Sequence, residues 1–235
     1  MTFNPKNIYE FLFPPKDYPL EWHMVSAERV ALEQVLHRLN PDVAIEIGTF
    51  KGGSLQCISP LARHTYSLDI DSSVAESLRP RFPDVSFLTG DSSKLLPRIF
   101  EEVRESNRHV NFILVDGDHS AEGVRRDLNT ILEYVPQQPL AILMHDSFNP
   151  ACREGMLTAN WSASAHVAFV EIDFVCGQII STEEPGIFGD MWGGLGIAYL
   201  TPEVRDVPVM PTQQYCLNYE SSPRWISSSL ARRRS

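Results

Sequence analysis

Cysteine is scarce in this chain: four residues in 235, at positions 57, 152, 176 and 216. No two of them stand at the close paired spacing of a zinc site, and they are too few for a disulfide-held scaffold. They read as small buried apolar side chains in a reducing compartment. Long apolar runs are missing too. None approaches the ~18–20 residues that cross a bilayer, and Met1-Thr2-Phe3-Asn4-Pro5 is not a charged-then-apolar export signal, so the expectation is a cytoplasmic protein with no membrane partner. Positive charge is short: 20 Lys and Arg against 30 Asp and Glu leave a net charge of −10. That excludes the broad basic footprint of a nucleic-acid binder. The one basic cluster, Arg232-Arg233-Arg234, lies at an end expected to be disordered.

What is present is an alternation of strand-length apolar runs with longer helical patterns, the mark of an α/β protein with a parallel sheet and crossover helices. Residues 1–22 form a proline-punctuated lead-in, with helical spacing beginning at Ser26 and running to Leu39. Strands are expected at 43–48, 64–70, 85–89, 110–116 and 139–145, and helices near 53–59, 73–80, 92–105, 120–134 and 151–160. A β-rich stretch at 166–180 and another at Leu195 to Leu200, joined without a helix, predict a hairpin at the sheet edge. The main domain is expected over 23–205, with a C-terminal extension over 206–235.

The most informative run is Val43-Ala44-Ile45-Glu46-Ile47-Gly48-Thr49-Phe50-Lys51-Gly52-Gly53-Ser54. An apolar strand ends in a glycine turn and a helix start, where free backbone N–H groups and absent Cβ atoms admit a nucleotide-like ligand. The dinucleotide fingerprint fails, because Phe50 stands where its second glycine belongs. Glu46, two residues before Gly48, would repel a diphosphate and attract an ammonium group. Thr49, Gly52 and Ser54 complete the candidate loop.

Other strand ends carry polar residues. Asp69, 21 residues after Gly48, is placed to accept both hydroxyls of a ribose. Asp71 before Ser72 and Ser73 reads as a helix cap. Asp91 and Ser92 can meet an adenine edge or cap the next helix. After the fourth and fifth strands come Asp116-Gly117-Asp118-His119-Ser120 and His145-Asp146. Asp116, His145 and Asp146 could hold a divalent cation, or His119 could act as a general base without one. Capping by Asp118 or Ser120 explains only part of this cluster.

The glycine loop with Glu46, followed by Asp69, Gly90-Asp91-Ser92, Asp116-Gly117-Asp118-His119 and Asp146, resembles the class I S-adenosylmethionine-dependent methyltransferases over roughly residues 24–200. Within them it is similar to the small-molecule O-methyltransferase branch, including the cephalosporin-hydroxylase-like and macrolide-sugar enzymes, and more distantly to catechol O-methyltransferase. The resemblance implies a Rossmann-like three-layer sandwich, a seven-stranded, mostly parallel sheet with its last strand antiparallel, and S-adenosyl-L-methionine as cofactor. It implies a metal acid at Asp116 and a general base at His119. His145 departs from the usual oxygen ligands of a magnesium site, which leaves the identity of any metal open. A small-molecule acceptor is expected, with a homo-oligomer compatible. Phe148, Trp161, Met191 and Trp192 are candidate walls for the acceptor or, equally, core or lid packing, and Phe188 to Gly194 a candidate lid. Three rival readings remain: a nitrogen or carbon acceptor in the same enzyme class, a metal-dependent oxygenase or hydrolase using Asp116, His119, His145 and Asp146, and a cofactor-binding or partner-binding module without chemistry.

Overall fold

Residues 18–179 and 191–213, together with Ile8 and Leu12, are described by the structure, a computed structural model. The rest of the lead-in, Phe188 to Asp190 of the expected lid, Cys216 and the Arg232 to Arg234 cluster lie outside the described residues.

The elements follow in the order α1 (Ser26–Leu39), β1 (Val43–Ile47), α2 (Leu55–Ile58), β2 (His64–Asp69), α3 (Ser72–Leu78), β3 (Val85–Thr89), α4 (Ser92–Glu105), β4 (Val110–Val115), α5 (Ala121–Ile131), β5 (Leu140–His145), α6 (Pro150–Thr158), β6 (Val167–Val175), β7 (Gln178–Ile179), β8 (Met191–Trp192) and β9 (Leu195–Leu200). Seven strands form one sheet in the order β3-β2-β1-β4-β5-β9-β6. The first five run parallel, and β9 lies antiparallel between β5 and β6. The expected edge pair is therefore β6 with β9, and the chain between them makes the small β7–β8 pair.

Alternation along the central strands builds two cores. Val43, Ile45 and Ile47 of β1, with Ile113 and Val115 of β4, pack under α4, α5 and α6 against Leu96, Ile99, Leu128 and Met156. Ala44, with Phe112 and Leu114 of β4, faces the other way, against Leu32 and Leu36 of α1 and Cys57 and Ile58 of α2. Every residue of β1 is buried, as a strand covered on both faces requires. Glu46 shares the Ala44 face by the same period of two, so its carboxylate is carried inward. Cys57 and Cys152 are buried as expected, whereas Cys176 is exposed.

Chain outside the 23–205 span also packs on it. Gln56 bonds both the backbone N–H and the carbonyl of Leu20, each at 2.9 Å, and Thr212 exchanges backbone hydrogen bonds with Val170 and Ile172 of β6. Among the described residues no helix is long and apolar enough to cross a membrane.

Candidate active site

Strand order reverses between β1 and β4, and a cavity of about 910 Å³ opens there at the carboxyl ends of the strands. The chain passes Gly48 at φ +83°, where an added Cβ would lie 2.0 Å from the carbonyl oxygen of Asp116. At Gly53 an added Cβ would lie 2.4 Å from the carbonyl oxygen of Glu21. These glycines therefore admit protein backbone, the β4 exit in one case and residues before α1 in the other. Both glycines also line the cavity, so the tight turn expected from the sequence is present and the loop faces the space where a ligand would lie. Gly52, also at positive φ, donates its N–H to the Thr49 carbonyl and closes the turn.

Glu46 differs from expectation. It is fully buried, does not line the cavity, and accepts a hydrogen bond from Ser54 Oγ at 2.5 Å. Burial pushes its carboxyl up to about 8. It supports Ser54 and Thr49, which do line the cavity.

Asp69 lines the cavity at the end of β2 and also organises the loop. Its Oδ2 accepts the N–H groups of Thr49 at 3.0 Å and Phe50 at 2.9 Å, and its Oδ1 that of Asp71 at 3.0 Å. Phe50 is held at φ +48°, an uncommon conformation for a bulky residue. Asp71 caps α3 through the Ser73 N–H, as read from sequence. Asp91 lines the cavity, but its Oδ1 is used by the N–H and hydroxyl of Ser93 at the start of α4. Ser92 turns its hydroxyl to Asp127.

The acids and histidines beyond β4 and β5 meet as the sequence suggested, with roles redistributed. His119 Nε2 stands 3.5 Å from Asp116 Oδ1 and 3.4 Å from Asp146 Oδ2, and its ring is half exposed. Asp116, His119 and Asp146 each offer a ligand atom, all within 4.8 Å of one another, a grouping able to hold a cation. His145 sits behind them: Nδ1 is 2.9 Å from Asp116 Oδ1 and Nε2 is 3.5 Å from Glu28 Oε2. The hydrogen bond with Asp116 raises the His119 pKa against the opposing effect of burial. Burial works against charge on His145 too, yet Asp116 and Glu28 hold its pKa well above the ordinary value. Ser120 caps α5 through the Gly123 N–H, so the capping reading holds beside the functional one.

Two acids escaped the sequence reading. Glu28 of α1 is 1% exposed and binds the N–H groups of Val25 and Gly194; Asp127 of α5 is likewise 1% exposed. Each lies on its helix's buried stripe, with Leu32 and Leu36 in one case and Val124, Leu128 and Ile131 in the other. An acid in phase with an apolar stripe was the signal. Of the expected acceptor walls, Trp192 lines the cavity, 6.3 Å from the His119 ring between centroids. Phe148 and Trp161 are 3% and 2% exposed and belong to the packed interior, the core-packing reading of the two that the sequence allows. The side chain of Met191 lies outside the described residues.

Residues 45–147 match a family described as a methyltransferase domain. No curated protein matches the chain. An O-methyltransferase from Bacillus cereus, solved in complex with S-adenosylhomocysteine, is 16% identical with a TM-score of 0.53, over 82% of this chain and 94% of that one. The O-methyltransferase TomG from Streptomyces achromogenes, involved in tomaymycin synthesis and solved with S-adenosylmethionine, is 12% identical with a TM-score of 0.55, over 83% and 86% of the two chains. The matched segment, somewhat under half of the chain, contains the glycine loop, Asp69, Asp116 and Asp146, and is similar to a methyltransferase domain; the seven-stranded sheet is the fold that the chain shares with these solved methyltransferases.

Proposed function

We propose that this enzyme transfers the methyl group of S-adenosylmethionine to a hydroxyl oxygen of a small molecule, with His119 as general base. The observation that carries the reading is the position of His119: half exposed at the cavity, beside Trp192, with Nε2 within 3.5 Å of two carboxylates that stabilise its protonated form. Oxygen as the acceptor atom, and a small molecule as its bearer, are taken from the two O-methyltransferases of like fold. The cavity suits the cofactor. Asp69, a carboxylate lining it at the end of β2, is taken as the acceptor for the ribose hydroxyls, Ser54 supplies a hydroxyl beside the glycine loop, and the volume is that of a small-ligand site.

S-adenosylmethionine, when bound, supplies an electrophilic methyl group to an in-line nucleophile. The protein's part is to place the acceptor oxygen, exclude water and receive the acceptor's proton at His119 Nε2, where Asp116 and Asp146 stabilise the imidazolium. The same three residues also suit a divalent cation, which would lower the acceptor's pKa. These two uses of His119 compete for one nitrogen.

The test is transfer of labelled methyl from S-adenosylmethionine to a panel of hydroxylated, aminated and carboxylated small molecules. Methyl ethers as products support the reading. Label confined to nitrogen products, or turnover of substrate without any methyl transfer, overturns it.

A further inference from the structure

Arg153 carries a charge that the proposed mechanism does not use. It stands on the inward stripe of α6 with Cys152 and Met156, and its side chain is buried, as is the Asp173 carboxylate of β6 with which it pairs at 2.7 Å. Taking two such charges out of water costs about as much as their attraction returns, and apolar side chains of like volume hold a core as well or better. Stability alone therefore gives no reason for an arginine here. Its other contacts do.

Nη1 donates to the carbonyl of Ser147 at 3.0 Å, and Nη2 to Oε1 of Gln213 at 3.0 Å. The Phe148 ring lies against the same guanidinium, its centroid 5.4 Å from Cζ. Ser147 and Phe148 directly follow Asp146, whose left-handed φ of +57° has to be held by its surroundings. On the other side of this turn, Asp146 Oδ2 stands 3.4 Å from His119 Nε2, and Oδ1 accepts the Gly193 N–H at 2.8 Å. The Phe148 N–H donates in turn to the Gly193 carbonyl at 3.0 Å, beside Trp192 on the cavity wall. One buried cation thus grips the back of the turn that carries Asp146.

Resting on the reading of His119 as the base, we propose that Arg153 is a positioning residue for the reaction: through the Ser147 carbonyl and the Phe148 ring it fixes the turn that aims Asp146 at His119 and at the Gly193 N–H. Gln213 ties the C-terminal extension into the same hold, next to Thr212 on β6. An apolar side chain in place of Arg153 fills the volume but brings no donor to the buried Ser147 carbonyl, so the turn is free to move and Asp146 with it.

Paired variants separate positioning from mere support. Arg153→Met leaves Asp173 buried without its cation, so the thermal midpoint should fall by roughly 6–20 °C. Arg153→Met combined with Asp173→Leu removes both charges and should recover most of that loss. The turn should not recover with it. Amide exchange at Gly193, measured against the core amides of β4, should stay faster than wild type by about 10-fold or more, since its bond to Asp146 has lost its support. With the hydroxylated acceptor on which the wild type is most active, kcat of the double variant should be down about 10- to 100-fold, while KM for S-adenosylmethionine stays within about threefold. Should the double variant not fold, Arg153→Lys keeps a cation for Asp173 but gives up the planar fork, and should show the same two changes to a smaller degree. Wild-type exchange at Gly193 in a folded variant overturns the assignment, and so does faster exchange with an unchanged kcat, which would make Arg153 a brace with no part in the reaction. No methyl transfer by the wild type overturns the reading of His119 and, with it, the part given to Arg153; exchange at Gly193 then still decides whether Arg153 holds the turn.

Discussion

His145 Nδ1 stands 2.9 Å from Asp116 Oδ1, and the ring's other nitrogen faces Glu28 at 3.5 Å. Nδ1 is the nitrogen engaged with Asp116, so His145 offers that atom to the cavity only by releasing Asp116, while Nε2 lies beside Glu28 without a hydrogen bond among the described residues. Its effect passes through Asp116. Burial alone would raise the Asp116 carboxyl, but the imidazoles of His145 and His119 hold it down at about 2. Asp116 therefore remains a carboxylate across the neutral range, ready for a cation or for protonated His119.

Asp69 has two duties, and its removal should register twice. Asp69→Ala takes away the proposed ribose acceptor together with the anchor for the Thr49 and Phe50 N–H groups. A charge-assisted bond lost costs ~1.5–3 kcal/mol, or about 10- to 150-fold in affinity for S-adenosylhomocysteine by calorimetry. Loss of loop order should also speed amide hydrogen exchange at residues 49 and 50. Unchanged affinity would move the ribose contact away from Asp69.

Gly48→Val should fail at folding before it fails at binding. Its Cβ would fall 2.0 Å from the Asp116 carbonyl at the β1–β4 junction, and φ +83° is strained for a β-branched residue. Backbone must shift on both sides, so the thermal midpoint or the soluble yield should drop sharply. A variant with a wild-type midpoint that merely loses ligand would show that the glycine serves the ligand after all.

The sheet was legible because its signal is local. Five strands and their helices follow from runs such as Val43 to Ile47 and from spacings such as Leu96, Ile99 and Val103. Side-chain direction was less legible. Glu46 was read by its nearness to a glycine loop, whereas the period of two along β1 turns it into the core. Asp91 and Ser92 were read from their place after β3, whereas their partners, Ser93 and Asp127, depend on how α4 and α5 pack. His145 and Asp146 are adjacent in sequence, yet one faces back toward Glu28. Asp146 takes a left-handed turn, φ +57°, that no residue pattern announces.

The buried Glu46 predicts a slope in stability against pH. Its folded pKa of about 8 lies above the ordinary 4.5, so between these values the folded chain keeps a proton that the unfolded chain has released. Stability from this group is complete below about pH 4.5 and falls as pH rises toward 8. Glu46→Gln retains an acceptor for Ser54 and cannot ionise. It should therefore gain on the wild type as pH rises through that window, on the order of 1–3 kcal/mol near neutrality, read from denaturant midpoints. Parallel stability curves for the two proteins would show that Glu46 does not titrate on unfolding.

His119 decides between base and metal chemistry. As a base it must be neutral to act, and Asp116 raises its pKa from the ordinary 6.5, so the methyl-transfer rate should rise with pH through a value above 6.5. His119→Asn should then lower that rate by about 10²–10⁴ and leave S-adenosylhomocysteine affinity nearly intact, while chelators do nothing. If a cation occupies the group instead, Nε2 is a ligand and no longer a base. Chelation should abolish turnover, a divalent ion should restore it, and Asp116→Asn should be the more damaging change. The distinguishing signature of His119→Asn is then a higher metal concentration for half-maximal rate, accompanied by lower metal content in the purified protein. A full rate in His119→Asn together with indifference to chelators would sink both roles. Positioning of acceptor against cofactor would remain as the source of catalysis.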